Sequence, residues 1–84
     1  MPTVKRFARC RIEMYFDDHP PPHFHVITRD NERIAVVIET LVTQAGEADS
    51  RDTIDAFEWA RKNRAELRAR WKDYSEEEPP QEEP

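Results

Sequence analysis

The side chains in this chain best equipped for chemistry sit close together, in the run Asp17-Asp18-His19-Pro20-Pro21-Pro22-His23-Phe24-His25. Residues two apart on a strand share a face, so His23 and His25 point together while Phe24 points oppositely. His19 precedes the prolines, with Asp17 and Asp18 beside it. His19, His23, His25 and Asp17 make a ligand set for zinc or another divalent first-row metal. The same groups, with Glu39, can instead perform acid–base chemistry or cleave nucleic acid, because histidine titrates near neutral pH. A histidine beside a carboxylate is also an ordinary structural hydrogen bond. Residue types leave all three uses open, and with them whether the chain is an enzyme. A working site would be concave and expose imidazole nitrogens, whereas a structural cluster would be hydrogen-bonded and closed. No glycine-rich phosphate loop, serine-nucleophile motif or cysteine-based zinc signature competes.

The elements that must position these groups read as α+β: a small antiparallel sheet of three to four strands, with one kinked or two short C-terminal helices packed on one face. Cys10, Ile12, Met14 and Phe16 alternate with Arg11, Glu13 and Tyr15, the period of a strand with one buried face. Val4 to Phe7 is a short strand or an extended arm leading into it. Pro20-Pro21-Pro22 runs as a stiff polyproline stretch. His23 to Thr28 and Glu32 to Glu39 are the next strands, rich in β-branched residues. Gly46, the only glycine, marks a bend after an extended piece around Leu41 to Gln44.

Phe24 and Val26 should join Ile12, Met14, Ile34, Val36 and Ile38 in the core. The two histidines then lie on the exposed face beside Tyr15, Arg33 and Glu39. A loop of Asp30-Asn31 alone would set His23 against Ile38 and mix polar with apolar on both faces, which a half-buried sheet resists. A loop of Asp30-Asn31-Glu32 sets Phe24 against Ile38, Val26 against Val36 and His23 against Glu39, and this is the register expected.

Asp49 or Ser50 is placed to cap a helix, with Asp52 and Asp55 near its N-terminus. Ile54, Phe57, Ala60, Leu67, Trp71 and Tyr74 then recur as a buried helical stripe. Arg64 interrupts the stripe and Asn63 is a weak helix former, so a kink or a junction of two helices is expected near Lys62–Arg64. Trp59 and Trp71 read as packing residues.

The net charge of −5 comes from 13 basic and 18 acidic residues, and residues 75–84 carry five of those acids with three prolines. That stretch reads as a disordered acidic tail behind a single domain of residues 1–74, whose own charges balance. A lone Cys10 fits a reducing, cytoplasmic setting and a buried inert thiol. No signal peptide or membrane span is visible. Lys5, Arg6, Arg9 and Arg11 form one basic patch, and Arg61, Arg64, Arg68 and Lys72 share a helix face. Either can meet a nucleic-acid backbone, or simply be a solvated surface over which the acidic tail folds.

The run Met14-Tyr15-Phe16-Asp17-Asp18-His19, followed by Pro21-Pro22-His23-Phe24-His25-Val26, resembles the hallmark of a bacterial family of small proteins, domain of unknown function 4160. The opening Met1-Pro2-Thr3-Val4 with Arg6-Phe7 is similar to that family's start, and Glu58-Trp59-Ala60, Glu66-Leu67 and Trp71 to its helical end. The resemblance implies no established activity. It implies a small two-gene module, toxin–antitoxin-like, with a small partner protein encoded nearby. This chain departs from the pattern at Pro20, where Asn or a similar residue is expected, and at Asn63, where many relatives carry His. Asn63 therefore puts in doubt any site role that a helical His has in relatives.

Overall fold

The computed structural model describes residues 3–15 and 19–76. Phe16, Asp17, Asp18 and residues 77–84 fall outside, and with them the inward Phe16, the Asp17 ligand and most of the acidic tail named above. Five strands come first, β1 (Thr3–Arg6), β2 (Cys10–Glu13), β3 (His23–Thr28), β4 (Arg33–Val37) and β5 (Thr43–Gly46), then the helices α1 (Ser50–Lys62) and α2 (Arg64–Glu76). The strands form one antiparallel sheet in chain order, β1-β2-β3-β4-β5.

The sheet thus has five strands where three to four were expected. The extra one is β5, a polar Thr-Gln-Ala-Gly strand exposed along its whole length, with no apolar alternation to betray it. It begins later than the extended piece expected at Leu41 to Gln44. Leu41 instead takes a left-handed conformation (φ 59°) in a turn closed by its amide on the Val37 carbonyl (2.7 Å). Gly46 is required where β5 ends. Its φ is +85°, and a Cβ there would collide with the Arg33 carbonyl oxygen on the neighbouring strand.

The β3–β4 register corrects the one expected. His23 pairs with Val37, Phe24 with Val36 and Val26 with Ile34. The loop has the expected three residues but is Arg29-Asp30-Asn31, one position earlier. Asn31 supplies the left-handed residue (φ 68°) that such a hairpin needs at its third position. The Thr28 amide then donates to the Glu32 carbonyl and the Thr28 hydroxyl accepts from the Glu32 amide. A shift of two residues preserves which face each side chain takes, so the core is as expected while every cross-strand partner changes.

One face of the sheet carries Cys10, Ile12, Phe24, Val26, Ile34 and Val36, and α1 lies against it. The buried residues of α1 are Thr53, Ala56 and Ala60. Ile54, expected on the stripe, is 52% exposed. Small side chains hold the contact because they let the helix approach the sheet closely, and this turns the helix so that Ile54 leaves the core. Asp49 caps α1, its carboxylate accepting from the Arg51 amide at 2.9 Å. At Asn63 (φ −127°, ψ 32°) the helix stops, and the Asn63 amide side chain donates to the Trp59 carbonyl at 2.8 Å. The C-terminal segment is therefore two helices. Leu67 anchors α2 in the core, with Trp71 and Tyr74 packed against its margin.

Candidate functional site

Strand β3 fixes the histidine pair. His23, its first residue, is buried with only 5% of its surface exposed. Its Nδ1 lies 2.8 Å from the Pro21 carbonyl oxygen, and because a carbonyl can only accept, Nδ1 carries the proton. The ring packs between His25, at 5.0 Å between centroids, and Trp71 of α2, at 5.2 Å. His25 is half-buried, with Nδ1 closed to solvent, and its ring tilts against Tyr15 at 4.7 Å. The expected exposed histidine face is therefore mostly enclosed, and Trp71 helps to enclose it.

The residue that sequence reading missed is Glu13. It sits directly across from His25 on β2, on the face opposite the core, yet only 3% of it is exposed. Its carboxylate accepts from Arg11 Nε and from the Tyr15 hydroxyl, both at 2.6 Å, and the Tyr15 oxygen in turn accepts from Arg33 at 2.6 Å. Burial pushes the Glu13 carboxyl upward, but the hydrogen bonds from Tyr15 and Arg11 and the charges of Arg11 and Arg33 outweigh it, leaving the group below its ordinary range. Tyr15 moves the other way. Burial and its bond to the Glu13 carboxylate raise it, with Arg33 opposing. The only signal in the sequence was that Arg11, Glu13 and Tyr15 share a face at spacings of two. Outward polar residues on a strand ordinarily read as solvated, so that signal was too weak to use.

The family model for Domain of unknown function (DUF4160) matches residues 10–72, from the start of β2 into α2. The chain belongs to this family. No curated protein and no solved structure matches it.

Not every residue proposed for the site joins the cluster in this DUF4160 domain. Glu39 is not opposite His23. It is exposed and forms an ion pair with Arg68 at 3.0 Å. His19 is exposed on the proline loop, and Asp17 lies outside the described residues. Among the described residues, no group of three or more His, Cys, Asp or Glu side chains comes together as a metal-holding set. Two of the helix cations have structural contacts of their own: Arg64 Nε donates to the Ile38 carbonyl at 3.2 Å, and Arg68 holds Glu39. Cys10 is a buried thiol whose pKa burial pushes up, which suits packing better than nucleophilic chemistry. No described helix is long and apolar enough to cross a membrane.

Proposed function

We propose that this domain is a non-catalytic interaction module, in which the histidine cluster is a structural clasp and function lies in binding a macromolecular partner. The observation that supports this best is His23: 5% exposed, bound through Nδ1 to Pro21 and flanked by His25 and Trp71. It ties the proline loop, strand β3 and helix α2 together. The cavity beside His25 has a volume of about 160 Å³, below the usual size for a small-molecule site. Its lining among the described residues is Arg33, Ile34, Ala35, Ala45 and Gly46, with none of the other described candidate acid–base groups.

The competing reading is a divalent-metal site. A histidine whose Nδ1–H is held by a carbonyl is also how metal-binding imidazoles are commonly oriented, so a metal titration separates the two. Zinc and manganese are added to protein purified without a histidine tag, and thermal unfolding is followed. The module reading expects an unchanged melting temperature with both ions and a lowered one in His23→Ala without any metal. A metal-dependent rise that disappears in His23→Ala and His25→Ala would replace this reading with the metal site, since a ligand bound only to the native state stabilises it.

A further inference from the structure

The sheet face opposite α1 carries a line of arginines that crosses four strands. Arg6 of β1 pairs with Arg11 of β2, Arg11 with Ile27 of β3, and Ile27 with Arg33 of β4. Side chains directly opposite one another in antiparallel strands share a face, so Arg6, Arg11 and Arg33 form one transverse row with Ile27 within it. Strands lie about 4.8 Å apart, which makes the row about 14 Å long. Ile27 is only 2% exposed although α1 packs on the other face. Long arginine stems cover apolar neighbours while their heads reach water; in this row Arg11 also bonds Glu13 and Arg33 also bonds Tyr15. Arg29 joins the row at the β1–β2 end, where it lines a shallow cavity with Arg6, Phe7, Cys10, Arg11 and Ile27. Arg6, Arg29 and Arg33 are exposed, and Arg11 keeps 33% of its side chain exposed.

The charge on this face is one-sided. Glu13 is the one acid that β1 to β5 contribute to it among the described residues, and it is buried beneath Arg11 and Tyr15. Below the row, Tyr15 presents a half-buried ring, with the Arg33 guanidinium 6.0 Å from its centroid. Every cation in the row is arginine, whose planar fork matches phosphate oxygens two at a time, where lysine offers a point charge. An open sheet with a basic row and an adjacent aromatic ring is the arrangement that tracks a single-stranded backbone and stacks a base.

We infer that this face binds single-stranded RNA, with Arg6, Arg11, Arg29 and Arg33 on its phosphates and Tyr15 beside its bases. The inference rests on reading the domain as an interaction module, and it names that module's partner and surface. It places the contact on the sheet, where the one strand acid is buried, and not on α2, whose Arg68 and Arg70 are paired with the exposed acids Glu39 and Glu66.

The test is fluorescence anisotropy of the full chain with a labelled oligouridylate of about 12 nucleotides, within the site size of single-strand binders. Affinity is read between about 50 and 200 mM salt, where three to four phosphate contacts predict a log–log slope of about −2 to −3. Arg6→Ala and Arg29→Ala, both at exposed positions, should each weaken binding by about three- to tenfold and flatten the slope by about 0.7. Thermal unfolding of both variants should match the parent, and Arg61→Ala on α1 should bind as the parent does. Absent binding at low salt overturns the inference. So does an unchanged slope in both sheet variants, a loss confined to Arg61→Ala, or equal competition by oligoglutamate, which would make the partner an acidic protein. Failure here with metal-insensitive histidines removes this surface alone, whereas a zinc response lost in His23→Ala removes the module reading beneath it.

Discussion

Glu13 and His25 face each other across β2 and β3 on the side of the sheet that α1 leaves open, and the Tyr15 ring bridges them by bonding to the first and packing on the second. A carboxylate, a phenol and two guanidiniums are thus satisfied by one another beside the histidine pair. The network accounts for an acid at 3% exposure on the face that α1 leaves open.

Glu13→Gln should destabilise the domain by about 1–3 kcal/mol at neutral pH, since Arg11 loses its charged partner in a largely buried setting. The pH dependence has a definite sign. A carboxyl whose folded pKa is depressed contributes stability that is complete above its unfolded value, about 4.3, and is lost as pH falls through the folded value. Glu13 is such a group. Urea unfolding of parent and variant should therefore show a gap at pH 7 that narrows as pH falls below about 4. A gap of constant size down to the acid limit would mean that the carboxylate's charge contributes nothing to folding.

Trp71 and His23 should prove energetically coupled. Trp71 is half-buried, so Trp71→Ala should cost about 2 kcal/mol, less than the 3–5 typical of a fully buried ring. With the rings 5.2 Å apart, a double-mutant cycle with His23→Ala should return a coupling of about 0.5–1.5 kcal/mol. Additive losses would show that the helix and the strand do not support each other through this contact.

How far the sequence could be read follows from what each signal depends on. The faces of β2, β3 and β4 were legible because alternation survives any register shift of two, and the break at Asn63 because Arg64 interrupts an apolar stripe. Partners were not legible. They hinge on which residue takes the left-handed position in the Arg29–Asn31 loop, and moving that choice by one replaced Glu39 with Val37 opposite His23. Strand β5 was invisible as a strand because backbone pairing to β4, with no buried side chain, is what defines it. The histidine pair was found from its spacing, but its burial was not, because Trp71 reaches it from a helix 48 positions further along the chain. Glu13 was passed over because nothing local marks a strand acid as buried.

The enclosure of His23 carries the functional reading, and chemical modification measures it directly. Diethyl pyrocarbonate acylates accessible imidazoles, and peptide mass spectrometry of briefly treated native protein gives a rate for each histidine. His19, exposed on the proline loop, should react quickly, and His23, at 5% exposure, should react only as the domain unfolds, its rate rising sharply in denaturant. If His23 in the native protein reacts as fast as His19, its imidazole is open to solvent, and the structural clasp is contradicted in favour of a working site.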